Sequence, residues 1–353
     1  MIRVLVIKTS SLGDVIHTLP AINDAISAIP DIIFDWVVEE NFSEIPGWNY
    51  RVDQIIPVAL RRWRKNPFRS WYSSEWIEFK RKMSFQHYDA IIDAQGLLKS
   101  AWLARYANGQ IYGFDKYSAR EPLASNFYDH LVSVPKKLHA VERTRLLFSK
   151  SLGYSLDFRR GTYNLPFESD RQRSVVLLHG TTWASKHWSE ESWIKLSSML
   201  IDASYRVCLP WGDEGERQRA ERISQASGAK VLPRMSLTEI ASVLSESAGC
   251  ISVDTGLGHL AAAVNTPTLA IFGPTNPFFT GFYGLHQKNL VSEFKCTPCM
   301  SRKCLYPSNL DQTAPCFEEL TAIRVFDEFV RLIEKSVSPE IISVVNQKKE
   351  SSE

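Results

Sequence analysis

Short apolar runs alternate with amphipathic stretches along most of this chain, and the alternation predicts its elements. An apolar run over 3–7 reads as a strand, and after it Val15, Leu19, Ile22, Ile26 and Ile29 fall at steps of four and three. That is the period of an amphipathic helix, so a single helix is predicted over 15–29, with Asp14 at its N-terminus. A strand over 33–38 follows, and after a basic segment another over 90–93 that ends in Ala94-Gln95-Gly96. The second half repeats the grammar: strands over 174–178, 206–209, 230–232, 250–253 and 268–272, with helices from 190 and 216, after Ser236 and near His259. Ser189 is the expected cap of the helix at 190, and Ser236-Leu-Thr-Glu239 fits a capping box. Strands alternating with helices make parallel sheets, so the fold class is α/β, doubly wound.

At 353 residues the chain has length for two domains. The stretch 161–173 lacks periodicity and holds turn-forming and charged residues, which places a hinge near Pro166. A first domain over 1–165, a second over 166–335 and a tail over 336–353 are expected, with a last helix over 320–333 and a frayed polar end over 347–353. No internal tandem repeat is visible. The composition is that of a globular protein, and no apolar run is long enough to span a membrane. The N-terminus enters a strand without the features of a secretory signal, so a cytoplasmic location is expected.

A net charge of +2 gives no reason to expect a nucleic-acid partner. The distribution says more. Arg61, Arg62, Arg64, Lys65, Arg69, Lys80, Arg81 and Lys82 face only Glu75 and Glu78 within 61–82, and Trp63, Phe68, Trp71, Tyr72, Trp76 and Phe79 are interleaved with them. Such a mix suits an amphiphile with an anionic head or a membrane interface. A solvated basic face with its aromatics turned to the core fits the same pattern.

Candidate chemistry gathers at strand ends. Asp14 is either a helix cap or a carboxylate aimed at the crevice where open α/β sheets bind ligands. Asp254-Thr-Gly-Leu-Gly-His259 follows a strand and opens a helix, which makes a site for a diphosphate, or only a tight turn. The G-x-G-x-x-G dinucleotide fingerprint follows none of the strands, which argues against a nicotinamide or flavin enzyme. Thr181, Thr182 and Lys186 follow the strand at 174–178 and suit phosphate oxygens. Glu216 suits ribose or sugar hydroxyls, or is an ordinary acidic residue of a first helical turn. Cys296, Cys299, Cys304 and Cys316 are spaced C-x2-C-x4-C-x11-C. Structural metal, reduced thiols packed in a loop and redox chemistry all fit that spacing, and catalysis is not expected to depend on it.

Taken in order, Lys8-Thr-Ser-Ser-Leu-Gly-Asp-Val-Ile-His-Thr-Leu-Pro20, Arg61-Arg-Trp-Arg-Lys65, Asp93-Ala-Gln-Gly, Arg120-Glu-Pro, His139-Ala-Val-Glu-Arg143, Lys186-His-Trp188 and Asp254-Thr-Gly resemble the lipopolysaccharide heptosyltransferase I family, within glycosyltransferase family 9. The match runs from residue 1 to about 284; the Cys-rich stretch lies beyond it. The resemblance implies a GT-B enzyme, two Rossmann-like domains facing a central cleft, the first for the acceptor and the second for the donor. It implies an inverting, metal-independent transfer of L-glycero-D-manno-heptose from ADP-heptose to the Kdo of Kdo-lipid A, without a cofactor, by a monomer in peripheral contact with the cytoplasmic face of the inner membrane. By that likeness Asp14 is the general base. Thr181, Thr182, Lys186, Glu216, Met235, Asp254, Thr255, Gly256 and His259 match donor-binding positions, and Arg61, Arg62, Arg64, Lys65, Arg120 and Arg143 match acceptor-binding ones. Two alternatives stand beside it: a heptosyltransferase acting on a later inner-core sugar, and a non-catalytic nucleotide-sugar-binding protein.

Overall fold

The structure is a computed structural model that describes residues 1–66, 70, 72–157, 159–168, 170–306 and 314–350, with side chains placed as far as residue 336. It divides into two compact units, Met1–Pro166 and Phe167–Glu353.

The first unit runs β1 (Ile2–Ile7), α1 (Leu12–Ile16), α2 (Leu19–Ala28), β2 (Ile32–Glu39), β3 (Val52–Val58), α3 (Leu60–Trp63), α4 (Ser74–Ser84), β4 (His87–Asp93), α5 (Leu98–Ala104), β5 (Asn108–Phe114), β6 (His130–Val132) and α6 (Ala140–Leu152). Its strands pair in parallel in the order β3-β2-β1-β4-β5-β6. The second unit runs β7 (Gln172–Leu178), α7 (Glu190–Asp202), β8 (Arg206–Leu209), α8 (Glu214–Ser227), β9 (Lys230–Val231), α9 (Leu237–Ser245), β10 (Ser247–Val253), α10 (Gly256–Ala263), β11 (Thr268–Phe272), α11 (Pro277–Thr280), β12 (Gln287–Val291) and α12 (Ala322–Glu350). Its parallel order is β12-β11-β10-β7-β8-β9. In each sheet the chain starts in the middle, builds outward to one edge, then crosses over to build the other. The crossovers put a topological switch point between β1 and β4, and another between β7 and β10, where such sheets bind ligands.

The central strands β1, β4, β7, β10 and β11 are buried over most of their length and read as mainly apolar runs. The strands that the hydrophobic pattern did not show are β3, β5, β6 and β12. Three of these are sheet edges, and all four mix exposed polar residues with buried ones, which blurs the pattern. The helix predicted over 15–29 is two helices. Pro20 has no N–H to continue the ladder, and the Thr18 amide closes a shorter turn on the Val15 carbonyl at 3.1 Å. The helix expected from 216 starts at Glu214, capped by Asp213. Ser189 and Ser236 cap α7 and α9 with their side chains. The last helix continues to Glu350, past both the predicted 333 and the start of the expected tail.

Trp63, Trp76 and Phe79 lie in the first unit's core, with Trp76 stacked on Trp102 at 5.4 Å. Among the described residues, three of the aromatic side chains of the basic segment therefore point inward, while Tyr72 is exposed; Phe68, Arg69 and Trp71 lie outside the described residues. In the second unit α12 packs Val325 and Phe329 into a core shared with Trp188, Trp193 and Ile271. Arg145 on α6 is buried and ties its unit together, meeting Asp24 of α2 at 2.6 Å, Glu142 at 2.9 Å and the carbonyls of Asp157 and Arg159 at 2.9 Å. Removing it leaves two carboxylates and two carbonyls short of donors. Arg145→Met should cost at least about 2 kcal/mol in urea unfolding; an unchanged midpoint would show that solvent replaces these bonds freely.

Candidate active site

Two loops meet at the switch point of the first sheet. The loop after β1 carries Lys8 to Ser11 into α1, and the loop after β4 carries Ala94 to Leu97. Asp93 closes β4, fully buried, and accepts from the Tyr128 hydroxyl at 2.7 Å, the Ser100 hydroxyl at 2.8 Å and the amides of Gln95 and Gly96 at 2.9 and 3.2 Å. Burial pushes its carboxyl above the ordinary range, against those donors. The Gln95 carboxamide reaches back to the other loop: its oxygen accepts from the amides of Thr9 at 3.0 Å and Ser10 at 3.1 Å, and its NH2 donates to the Ser10 carbonyl. Lys8, also buried, donates to the Ala94 carbonyl at 2.8 Å.

Asp14 sits where that clamp leads. It is the third residue of α1, while Ser11 holds the cap position, so the cap reading of Asp14 is corrected: the cap lies three residues earlier. Its carboxylate accepts from the Ser11 amide at 2.9 Å and the Ser11 hydroxyl at 2.8 Å. Burial works to raise its pKa, but the Lys8 ammonium, both Ser11 bonds and the Arg120 guanidinium outweigh it and hold the carboxyl below its ordinary range. Asp14 is thus held as an ionised carboxylate. Arg143 donates to the Ser118 carbonyl at 2.6 Å and lies over the Phe114 ring at 5.0 Å.

The other predicted cations differ in their freedom. Arg120, Arg64 and Lys65 are exposed, and Arg61 lies over Phe42 at 5.3 Å. Arg62 is engaged by Glu40 at 3.0 Å and Glu75 at 2.8 Å, so it ties α3 to α4. Lys99, absent from the predicted set, bridges the two groups. It donates to the Ser10 hydroxyl at 3.3 Å, and Arg61 and Arg64 add to the burial that lowers its pKa. The first turn of a helix after a strand-end loop was the available signal for it.

At the switch point of the second sheet, Asp254 directly follows β10. Its Oδ2 meets the Lys186 ammonium at 2.6 Å and accepts from the Thr275 hydroxyl at 2.6 Å; His259 Nε2 lies 4.0 Å from its Oδ1. Thr181 donates to the Asp254 carbonyl at 3.3 Å, Thr182 is exposed beside it, and Lys186 lies over the Trp183 ring at 4.4 Å. Thr255 holds the cap position of α10 and Gly256 begins it. Gly258 answers to packing, since a Cβ there would come within 2.0 Å of the Phe282 ring. Glu216 folds back to the end of β7: it accepts from the Gly212 amide at 2.7 Å and lies against Gly180, where a Cβ would come within 2.2 Å of its Oε1. Met235 is half-buried in the loop ahead of α9. Thr275, which the motifs missed, follows the end of β11 as the others follow β7 and β10.

Behind this loop Arg219 joins three elements, donating to the His179 carbonyl at 3.5 Å and to Glu190 at 3.2 Å and meeting Nδ1 of His187. Cys296 is half-buried, Cys299 and Cys304 are exposed, and Cys316 is buried, its thiol pushed up to about 12 first by burial. Among the described residues no group of three or more His, Cys, Asp or Glu is arranged to hold a metal ion, and no helix is long and apolar enough to cross a membrane.

Residues 76–309 match the model of glycosyltransferase family 9 (heptosyltransferase). Lipopolysaccharide heptosyltransferase 1 of Pseudomonas aeruginosa is 52% identical over 86% of this chain and 88% of its own. That of Escherichia coli K12 is 49% identical over 81% and 92%. The solved E. coli heptosyltransferase WaaC with ADP superposes with a TM-score of 0.82 at 44% identity, over 94% of this chain and all of the other. The two Rossmann-like units are those of the GT-B fold class.

Both imidazoles behind the second loop are held neutral. Burial first, then Arg219, lowers His187 and His179 from 6.5 to about 4. The unfolded chain takes up protons there below about pH 6.5 and the folded chain does not until about pH 4, so stability is lost as pH falls through that window. His187→Gln keeps an acceptor for Arg219 and removes one titrating group. Its melting temperature should fall less than wild type's between about pH 7 and 5; an equal fall would mean that His187 is not held neutral.

Proposed function

We propose, for a chain that belongs to glycosyltransferase family 9, the heptosyltransferases, that Asp14 is the general base of an inverting heptose transfer from ADP-heptose to the Kdo of Kdo-lipid A, in the building of the lipopolysaccharide inner core. The observation that carries this reading is the ionised Asp14 at the switch point of the first sheet, held by Ser11 and by the Lys8 and Arg120 charges. A base must be ionised and within reach of a proton to act. Asp14 takes the proton of the acceptor hydroxyl as its oxygen attacks the anomeric carbon of the heptose. The bond from that carbon to the diphosphate breaks, ADP departs with the electron pair, and the configuration inverts.

The second unit supplies the donor site. Lys186 is aligned by Asp254 and retains further N–H groups for diphosphate oxygens. Thr181 and Thr182 from the loop after β7, and Thr255 and Gly256 at the start of α10, add hydroxyls and backbone donors; Glu216, Met235 and His259 complete the set. Charge building on the leaving group is met by these donors, and no metal ion is required. In the first unit Arg61, Arg64, Lys65, Arg120 and Arg143, joined by Lys99, bind the carboxylate and phosphates of the acceptor, while Arg62 holds their platform. The acceptor's lipid places the enzyme, as a monomer, in peripheral contact with the cytoplasmic face of the inner membrane.

The test is ADP release from ADP-heptose and de-acylated Kdo-lipid A, with and without chelator. Wild type should turn over in chelator, and Asp14→Ala should lose about three orders of magnitude. Turnover of a later-core acceptor in place of this one would reassign the acceptor, and an undiminished Asp14→Ala would leave Asp14 a helix-start residue. Gln95→Leu keeps its bulk and loses the clamp on Thr9 and Ser10. It should lower kcat about ten- to a hundredfold with the donor KM unchanged; an equal change in both would disprove a role confined to Asp14.

A further inference from the structure

One face of α4 has no part in the chemistry above. The helix buries Trp76, Phe79 and Met83. On its outer side Ile77, Arg81 and the C-cap residue Phe85 follow one another at steps of four, which lines them along one face. Ile77 is 57% exposed and Phe85 71%, and Tyr72, just ahead of the helix, is 85% exposed. Single exposed apolar residues are ordinary, but two on one stripe with a guanidinium between them form an interfacial pattern.

The charge around the stripe identifies what covers it. Lys80, Arg81 and Lys82 are on the same helix, and Arg61, Arg64 and Lys65 are on or beside α3. Against them stand Glu75, already engaged with Arg62, and Glu78, paired with Arg81 at 2.8 Å and with Lys82 at 3.9 Å. Those last pairs are exposed and readily exchanged for other anions. Apolar tips beside a surplus of cations match a sheet of anionic headgroups over an acyl layer.

We propose that the Ile77–Arg81–Phe85 face of α4 docks this unit on an anionic phospholipid bilayer, the apolar side chains entering the headgroup boundary and Lys80, Arg81 and Lys82 meeting phosphates. The inference rests on the reading of a lipid-anchored acceptor and names the surface that meets the lipid.

The test uses the full chain, sedimented with vesicles of phosphatidylglycerol mixed with phosphatidylcholine and with vesicles of phosphatidylcholine alone. Wild type should bind the anionic vesicles, less so at high salt, and hardly bind the neutral ones. Ile77→Ser with Phe85→Ser changes only exposed positions and should weaken anionic-vesicle binding about tenfold. It should lower turnover of acylated acceptor in vesicles in parallel and leave turnover of the de-acylated acceptor in solution unchanged. Vesicle binding by the variant equal to wild type, or no binding by wild type, would overturn the docking surface. Failure of wild type to use the de-acylated acceptor would instead overturn the acceptor reading, with the vesicle result unaffected.

Discussion

A carboxylate that never meets solvent organises the first unit's site. Asp93 is fully buried at the end of β4, and an ion there is tolerated only where donors surround it. Four do, two from side chains and two from the next loop's amides. Those amide bonds fix the turn in which Gly96 takes φ +67°, and the turn delivers Gln95 to the backbone of Thr9 and Ser10. The requirement spreads outward to β5, where Gly113 stays bare because a Cβ would come within 2.3 Å of the Tyr128 ring. Asp14 inherits its position from this chain of contacts and its charge state from Lys8, Ser11 and Arg120.

The second sheet uses the same strand order for a different end. Asp254 directly follows β10 much as Asp93 closes β4, but its partners are an ammonium and a hydroxyl, Lys186 and Thr275. Neutral donors around Asp93 make it structural. The cation on Asp254 keeps N–H groups for a further anion, as the proposed phosphate site requires. In the proposed reaction one architecture thus serves a proton-accepting edge and an anion-binding edge, and the difference lies in which residues satisfy a buried carboxylate.

Much of this was legible in the chain. Ser189 and Ser236 announce their helices because a cap is local chemistry, and central strands such as β1 and β11 announce themselves because they are buried over most of their length. Edge strands such as β6 and β12 were not legible, since only part of each is covered. Asp14 stood out by its place after a strand, yet Gln95, which positions its loop, is 86 residues from Thr9 and is brought there only by the crossover. The run of cations from Arg61 did not reveal that Arg62 is engaged by Glu40 and Glu75, because those partners come from elsewhere in the unit. The spacing of Cys296, Cys299, Cys304 and Cys316 likewise stayed ambiguous, because spacing says nothing of where thiols point.

The account stands on the charge of Asp14, and that can be read directly. In protein carrying 13C-labelled aspartate, with the Asp14 signal assigned through Asp14→Asn, the carboxyl should titrate below its ordinary value of 3.8, and Lys8→Met should move its midpoint upward. A midpoint at or above that value in wild type would contradict an Asp14 held ionised for catalysis.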